Sequence, residues 1–421
     1  MIWLLSILPI ILLLLGLLLA FLVGYLLLLT LVAWRQAGRL QSSSGGAGSR
    51  FMILVPAHNE ERLLPDLLRN LAQMTYPQEL YAVHVVADNC TDQTAVIGRQ
   101  YGAVVHERFN TAQPGKGYAL QWLLQELWAS GEPHDAVVIL DADTVVSPNF
   151  LQAMSARLAQ GERVIQAYYA VRDPGRSWSV GLRYAALAVL HYLRPLGRTT
   201  LGGSAGLKGN GMVFAADVMR QNEWSASITE DIEFHMTLIL NGERVTFAPE
   251  AVIQAEMPET LAGAATQNVR WERGRMQMLR LYVPQLLRAA GRQLRQREYG
   301  RAYLFFDAAM EHLIPPFSVL AALSGLYLAA AVVSVVLASL LLPEGTAVTL
   351  AWTNFWLAIG LIVGQAVYLL SGLRLVHAPR SVYLALVNIP VFVTWKVWHY
   401  GRVLFGLDSH DWVRTARNDE A

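Results

Sequence analysis

Charged residues and cysteine are both scarce in this chain of 421 residues. Only 15% of the residues are charged and the net charge is +1. This near-neutral balance, without a dense block of lysine and arginine, argues against nucleic acid as a partner. The one cysteine, Cys90, cannot form an internal disulfide bond, which fits a cytoplasmic region. No neighbour in the sequence would activate its thiolate, so we expect a small residue in a turn.

Hydrophobic residues make up 54% of the chain and are concentrated at its two ends. The segment from Ile2 to Ala33 is longer than the ~20 residues that a membrane helix requires. It has neither the basic start nor the small-residue cleavage site of a signal peptide, so we predict a retained anchor over residues 1–34. The positive-inside bias places its far end in the cytoplasm, because that end is followed by Arg35, Arg39 and Arg50.

Two more apolar segments near the C-terminus, Leu313 to Leu342 and Ala351 to Leu373, are each long enough to span a membrane. The loop between them carries a single charge, Glu344, and Arg374 and Arg380 follow the second segment. This distribution of charge predicts a hairpin that leaves the cytoplasm and returns to it. We therefore expect a multi-pass protein of the cell membrane with a cytoplasmic catalytic domain.

The stretch from Val382 to Phe405 is apolar but interrupted by Pro390 and by cations such as Lys396. We prefer a helix that lies in the cytoplasmic membrane interface, with its cations and indoles at the level of the headgroups. The alternative is a further span, which would place the basic tail outside.

The chain thus divides into four predicted parts. The N-terminal anchor at residues 1–34 is followed by a flexible, Ser- and Gly-rich linker at 35–50. A soluble domain occupies residues 51–300. A C-terminal membrane region at 301–421 contains two spans, the interfacial helix and a basic tail.

Apolar, β-rich runs alternate with helical periodicity in the soluble region. FMILVPAHN, YAVHVVAD, AVVHER and DAVVILDAD are predicted strands, and amphipathic helices lie between them. This alternation predicts an α/β fold with a mostly parallel sheet and helices on both faces. Ligands of such folds bind beyond the carboxyl ends of the strands, where Asp88, Asp141 and Asp143 fall.

The spacing of Asp141 and Asp143 has a direct chemical use. Two carboxylates at positions i and i+2, where a strand ends, can both approach one hard cation and its phosphate oxygens, as Mg²⁺ or Mn²⁺ prefers. Acidic pairs at strand ends are also common as solvated turns. The buried strand that precedes this pair favours the metal site.

The order of the motifs resembles that of membrane-embedded family-2 glycosyltransferases of the cellulose-synthase-like and hyaluronan-synthase-like group. PAHNE, VVADNCTD, PGKGYAL, DADT, GNGMVF, ITED and QNVRW precede the hydrophobic C-terminal segments. The resemblance implies a GT-A-type fold, a nucleotide-diphospho-sugar donor with uridine as the expected base, and Mg²⁺ or Mn²⁺ as cofactor. The usual Asp-Asp-Gly-Ser turn is replaced here by Ala87, Asp88, Asn89 and Cys90, so this turn does not itself imply recognition of uracil.

The same resemblance assigns residues to roles. It implies catalysis by Asp231, beside Glu230, and a metal held by Asp143 and Asp141. It implies a donor site of Pro56, Ala57, Glu60, Asp88, Lys116, Asp141 and Arg270. The acceptor site would comprise Gln267 and Trp271, together with Gly209 and Asn210 of a glycine-rich loop whose backbone can approach a sugar closely.

The chemistry of sugar transfer fits these assignments. Displacing a nucleoside diphosphate builds negative charge, which a cation and Arg270 would stabilise. The attacking hydroxyl needs a carboxylate to take its proton, and Asp231 is the candidate. A single displacement implies inversion at the anomeric carbon. Glu230 and Asp231 could instead serve only to stabilise the dipole of the helix that they begin.

Three functions compete at this point. The first is an inverting transferase that extends a polysaccharide with β linkages, for which so few spans would require a second copy of the chain or a secretion partner. The second is transfer of one sugar to a membrane lipid, such as a polyprenyl phosphate, glycolipid or carotenoid. The third is a non-catalytic membrane protein that senses nucleotides. Trp412 and Arg414 in the tail could reach a bound diphosphate or could anchor the tail at the interface.

Overall fold

The computed structural model describes residues 2–39, 48–224 and 229–406. Its strands are β1 (Phe51–Ala57), β2 (Tyr81–Asp88), β3 (Val104–Arg108), β4 (Ala136–Ile139), β5 (Thr144–Val146), β6 (Val164–Val171), β7 (Met212–Ala215) and β8 (Val245–Ala255). Its helices are α1 (Ile2–Ala37), α2 (Leu64–Ala72), α3 (Thr94–Gln100), α4 (Lys116–Ser130), α5 (Phe150–Ala159), α6 (Trp178–Ala188), α7 (Arg194–Thr200), α8 (Ala216–Gln221), α9 (Glu230–Leu240), α10 (Ala265–Arg295), α11 (Tyr299–Leu313), α12 (Phe317–Leu341), α13 (Thr346–Leu375), α14 (Arg380–Ala385) and α15 (Ile389–Leu404). A π-helical turn, Val189–Leu193, joins α6 to α7.

The strands form one sheet in the order β3-β2-β1-β4-β7-β6-β8-β5. The pairs β1–β2, β1–β4, β2–β3 and β6–β8 are parallel, whereas β7 runs antiparallel to both of its neighbours and β5 is antiparallel to β8. The predicted α/β fold with a mostly parallel sheet is confirmed. The alternating pattern did not reveal the antiparallel strands β5 and β7.

Both faces of the sheet are covered, as the near-continuous apolar strands require. Met52 and Leu54 of β1 contribute to a core that also contains Leu120 of α4. The intervening Ile53 points to the opposite core, which contains Phe150 of α5. Successive side chains of a strand point to opposite faces, so one apolar strand supplies both cores.

Four helical segments among the described residues are long and apolar enough to cross a membrane: Ile7–Ala37, Phe317–Leu341, Thr346–Leu375 and Arg380–Leu404. The second predicted apolar segment starts at Phe317 rather than Leu313, because Pro315 and Pro316 separate it from α11.

The fourth of these segments includes the stretch predicted to lie in the membrane interface. Lys396 of α15 donates to Glu272 of α10 over 3.0 Å. This contact with the soluble domain supports the interfacial position, which stays a prediction.

Helix α11 packs against the soluble domain as well as against α1, where Asp307 accepts from Tyr25. Its Ala308 and Ala309 are fully buried in a cluster with Ile239 of α9 and Leu286 of α10. The domain boundary predicted at residues 300 and 301 falls inside this helix. The four-part division of the chain stays a prediction.

Two buried hydrogen bonds hold α1 against α12 and α13. Asn354 donates to the carbonyl of Pro9 and accepts from the hydroxyl of Tyr327, each over 2.8 Å. A Cβ on Gly16 would lie 2.2 Å from the Tyr327 hydroxyl oxygen, so the glycine permits this close approach. Small residues and interhelical hydrogen bonds are the usual basis of packing between membrane helices.

We therefore expect Gly16→Leu to lower the apparent unfolding temperature of the full chain in detergent. The added side chain overpacks the contact with Tyr327, at a cost of about 1–3 kcal/mol. Gly24→Leu on the same helix is the matched control, because a Cβ there has nothing within 4 Å. Equal unfolding temperatures for the two variants would contradict the proposed packing of α1.

Candidate active site

The carboxyl ends of three parallel strands place several predicted residues at one edge of the sheet. Pro56 and Ala57 end β1, with Ala57 in register with Ala87 of β2. Asp88 then ends β2, and Asp141 follows β4. This edge is where parallel α/β sheets bind ligands.

Asp88 is buried at this edge and already has a cationic partner. The guanidinium of Arg108 donates to its carboxylate over 2.6 Å and to the carbonyl of Gln113 over 2.9 Å. The side chain of Asn89 also donates to Asp88, over 3.1 Å. Arg108 was not among the residues predicted from the sequence. Its only signal there was its position at the end of the neighbouring strand. The donor-binding role of Asp88 stays a prediction.

Glu60 lies just beyond β1, in the turn that leads to α2. Its backbone N–H donates to the hydroxyl of Thr94 over 2.8 Å, which joins this turn to the start of α3. Cys90 donates weakly to the carbonyl of Ala57 over 3.5 Å, and burial raises the pKa of its thiol. A raised pKa disfavours the thiolate, as expected for a residue without a nucleophilic role.

Lys116, the first residue of α4, occupies the centre of the site. Its ammonium donates to the carboxylate of Asp141 over 2.5 Å and also to the carbonyl of Gly209. Burial alone would lower the pKa of Lys116, but the nearby carboxylates of Asp141 and Glu230 raise it above its ordinary value. The side chain is therefore a fixed cation, held among carboxylates.

Gly209 brings the predicted catalytic carboxylate to the same place. A Cβ on Gly209 would lie 3.2 Å from a carboxylate oxygen of Asp231 and 3.9 Å from the ammonium of Lys116. Gly209 has a φ of +76°, in the left-handed region that favours glycine. The structure therefore gathers Lys116, Asp141, Gly209 and Asp231 around one turn of backbone.

Asn210 connects this turn by hydrogen bonds to the turn that contains Asp141 and Asp143. Its buried side chain accepts from the backbone N–H of Asp141 over 3.1 Å and donates to the hydroxyl of Thr144 over 2.7 Å. The N–H of Thr144 in turn donates to the carbonyl of Asp141 over 3.2 Å, closing a turn that contains Asp143. Asn210, predicted as an acceptor-site residue, thus has a structural task in supporting the acidic turn.

Glu230 and Asp231 begin α9, where both residues are partly buried. Burial, followed by the charge of Asp231, raises the pKa of Glu230 to about 7. Burial also raises the pKa of Asp231, although the cation of Lys116 opposes the shift. Two adjacent carboxyl groups with raised pKa values can exchange protons near neutral pH, which suits general acid–base chemistry.

Helix α10 passes beside these carboxyl groups. A Cβ on Gly274 would collide with the side chain of Thr229, the residue before Glu230. Gln267, Arg270 and Trp271 precede Gly274 by about one and two turns, so they lie on the same face of α10. Trp271 is 40% exposed, which leaves its indole accessible to a ligand.

A metal at Asp141 and Asp143 would need ligands from elsewhere. The described residues contain no group of three or more histidine, cysteine, aspartate or glutamate side chains that could hold a metal ion. Mg²⁺ commonly takes one or two carboxylates and completes its shell with water and substrate phosphate. The two carboxylates of this turn fit that pattern for a cation that arrives with a phosphorylated ligand.

Lys208, immediately before Gly209, is a second residue that the sequence reasoning missed. Burial and then the charge of Arg198 lower the pKa of its ammonium to about 7. Its only signal in the sequence was a lone cation in a loop interpreted for its glycines. Trp412 and Arg414 lie outside the described residues.

The chain matches one protein family and is similar to several known proteins. The model of the family "Glycosyltransferase like family 2" matches residues 49–274. The β-monoglucosyldiacylglycerol synthase of Trichormus variabilis is 28% identical over 253 residues, which cover 58% of this chain and 52% of that protein. The poly-β-1,6-N-acetyl-D-glucosamine synthase of Staphylococcus aureus is 25% identical over 234 residues, 54% of this chain and 55% of that protein. The chain thus spans about half the length of these relatives.

A solved structure shares the fold. It is the mannosyltransferase PcManGT from Pyrobaculum calidifontis in complex with GDP-Man and Mn²⁺. The TM-score is 0.51 and the sequence identity is 17%, with 87% of this chain and 97% of that chain covered. The likeness extends beyond the residues that the family model matches.

The buried pair of Asp88 and Arg108 yields a test of how this edge is held. We expect Arg108→Met to lower the free energy of unfolding by about 3–5 kcal/mol, because it leaves a buried carboxylate without its cation. Arg99→Met is the control, since Arg99 pairs with Glu107 on the exposed surface, where such pairs contribute about 0–1 kcal/mol. Chemical denaturation of the full chain in detergent measures both, and equal losses would refute the importance of the buried pair.

Proposed function

Because the chain belongs to glycosyltransferase family 2 and is a nucleotide-sugar-dependent enzyme, we propose that it transfers one sugar, with inversion, to a lipid of the membrane in which it is embedded. The observation that carries the catalytic proposal is the convergence of Lys116, Asp141 and Asp231 on Gly209. Family membership excludes the non-catalytic nucleotide sensor. The catalytic domain would face the cytoplasm, where nucleotide sugars are available.

The donor's diphosphate would lie at the edge that Asp141 and Asp143 share. These carboxylates would hold Mg²⁺ or Mn²⁺, which when bound neutralises charge on the departing diphosphate. Lys116 contributes a fixed positive charge at the same place, and Arg270 on α10 adds a second. Such preorganised charge in a site poor in water stabilises a leaving group more than the same charge does in solution. Uridine stays the expected base.

Asp231 would act as the general base. Its carboxylate lies against Gly209, so a hydroxyl that enters over this turn meets a proton acceptor. The glycine leaves room there that any side chain would fill. One displacement on the face opposite the diphosphate inverts the anomeric carbon, so an α-linked donor gives a β-linked product.

The space beneath the site favours a lipid over a polymer as acceptor. Ser204 lies in the loop that leads to Gly209. Its hydroxyl and the ring of His235 share a hydrogen bond of 2.8 Å, and its backbone N–H donates to Asp307 over 3.0 Å. Asp307 accepts from Tyr25 of α1 over 2.6 Å. These side chains are buried, so the region between the loop and α1 is filled, whereas a polymer would need room. The similarity to a monoglucosyldiacylglycerol synthase supports the same acceptor class.

Extension of a polysaccharide is the second candidate. It is favoured by the similarity to a poly-β-1,6-N-acetyl-D-glucosamine synthase and by the exposed indole of Trp271, a surface on which a sugar ring can stack. A second copy of the chain or a secretion partner would then supply the channel.

Asp231→Asn tests the assigned base. We expect transfer to fall about 10²–10⁴-fold, because the variant cannot take the proton of the attacking hydroxyl, while the affinity for the nucleotide sugar is retained. Asp217→Asn, at an exposed aspartate of α8, is the control. Radiolabelled donors, supplied to the full chain in lipid with Mn²⁺, would report the product by chromatography. Undiminished transfer by Asp231→Asn would reject the base, and a ladder of long products from the unaltered protein would reject the single-transfer proposal.

The pH dependence of transfer should reflect the raised pKa values. A general base acts when it is deprotonated, so we expect kcat/KM to rise with pH until the Glu230–Asp231 pair has lost its protons, near the value of about 7 at Glu230. Glu230→Gln removes a neighbouring negative charge and should move this acidic limb to lower pH. A limb that does not move, or moves to higher pH, would contradict the coupling of the two carboxyl groups.

A further inference from the structure

Arg194, the first residue of α7, is a buried cation that lacks a hydrogen-bonding partner within the described part of the chain. The residue is 6% exposed, and its Nε and Nη2 atoms are buried without a partner. An unpaired charge removed from water is strongly unfavourable. The unpaired guanidinium indicates that an anionic group from outside the chain accepts its hydrogen bonds.

The carboxylates nearest to Arg194 are already paired with other cations. Arg198, one turn further along α7, donates to Asp307 over 2.8 and 2.9 Å and pairs with Glu311. Lys208 donates to the other oxygen of Glu311 over 3.2 Å. Residues four apart on a helix are neighbours, so Arg194 adjoins these ion pairs without sharing them.

Further buried cations lie around these ion pairs. Arg275 of α10 reaches the same place and donates to the carbonyl of Ile314, just after α11. Arg194, Arg198, Lys208 and Arg275 lie around Asp307 and Glu311, while Asp231 also attracts Lys208 and Glu272 attracts Arg275. The low pKa of Lys208 agrees with this, since burial and the charges of Arg198 and Arg194 all lower it.

This cationic cluster lies between the predicted membrane and the active site. On one side, α7 packs closely on α1, because a Cβ on Gly197 would be 2.5 Å from the carbonyl oxygen of Leu29. On the other side, Lys208 directly precedes Gly209, where an added Cβ would lie 3.2 Å from the Asp231 carboxylate. A lipid that entered beside α1 would meet the cluster before it met the catalytic carboxylate.

We propose that Arg194 binds the phosphate of a membrane phospholipid, and that this phospholipid is the acceptor, whose headgroup hydroxyl is presented to Asp231. The planar guanidinium matches phosphate oxygens with two parallel hydrogen bonds. A base such as Asp231 is useful only if the nucleophile has a proton to lose, so the acceptor carries a hydroxyl as well as the phosphate. The identity of the acceptor rests on the proposed function, whereas binding of the lipid phosphate does not.

Thermal unfolding of the full chain in detergent tests the binding site. Phosphatidic acid and diacylglycerol with the same acyl chains are the probes, and inorganic phosphate is the soluble control. We expect phosphatidic acid alone to raise the unfolding temperature, because a ligand that binds only the folded state stabilises it. The rise should disappear in Arg194→Met and persist in Arg374→Met, an exposed arginine at the cytoplasmic end of α13.

The unfolding temperature without lipid separates binding from a structural role. Removing an uncompensated buried charge should leave this temperature unchanged or raise it in Arg194→Met, whereas removing a structural ion pair would lower it. A lowered temperature in Arg194→Met, a lipid-dependent rise that it retains, a rise lost equally in Arg374→Met, or a rise caused by inorganic phosphate would each overturn the site.

Release of nucleoside diphosphate tests whether the bound lipid is the acceptor. Phosphatidylglycerol and diacylglycerol both carry a hydroxyl, but only the former has a phosphate, and each is supplied in neutral phosphatidylcholine vesicles with a panel of nucleotide sugars. We expect at least tenfold faster release with phosphatidylglycerol, a preference lost in Arg194→Met and kept in Arg374→Met. Release without that preference would overturn the acceptor assignment, whereas no release in any vesicle would count against the proposed function and leave the binding result intact.

Discussion

The ammonium of Lys116 is the interaction on which the arrangement of the site depends. It joins the start of α4 to the carboxylate of Asp141 and to the carbonyl of Gly209, and thereby fixes the turn against which Asp231 lies. Its positive charge also allows several carboxyl groups to gather where water is scarce. Without it, the mutual repulsion of Asp141, Glu230 and Asp231 would favour protonation or separation. The same cation is available to the phosphates of a donor, so one charge both assembles the site and prepares it for its ligand.

The turn at Gly209 is also connected to the apolar helix α1. Ser204, Asp307 and Tyr25 form a continuous chain of hydrogen bonds from the loop before Gly209 to α1. All three lie where water is largely excluded, and such networks are rigid when every member is satisfied. The turn at Gly209 therefore has a defined position relative to α1, which is what the proposed enzyme needs if its acceptor stays in the bilayer while its donor comes from water.

The sequence predicted those features that depend on local pattern. The alternation of strands and helices, the acidic turn after β4 and the apolar helices were all visible in it, because periodicity and strand ends are local properties. Contacts between residues distant in sequence were not visible. Arg108 pairs with Asp88 because β3 lies beside β2, and Lys208 meets Glu311 across 103 positions of the chain. The start of α12 was misplaced for a local reason, since Pro315 and Pro316 interrupt an apolar run that composition alone would make continuous.

The central claim is that one displacement occurs at a site formed by Lys116, Asp141 and Asp231. The most direct test is the anomeric configuration of the product, measured by nuclear magnetic resonance after transfer from a nucleotide sugar of known configuration to the lipid acceptor. We expect an inverted configuration, so that an α-linked donor yields only a β-linked product. A product that retains the configuration of the donor would contradict this mechanism, because a single displacement from the face opposite the leaving group inverts the anomeric carbon.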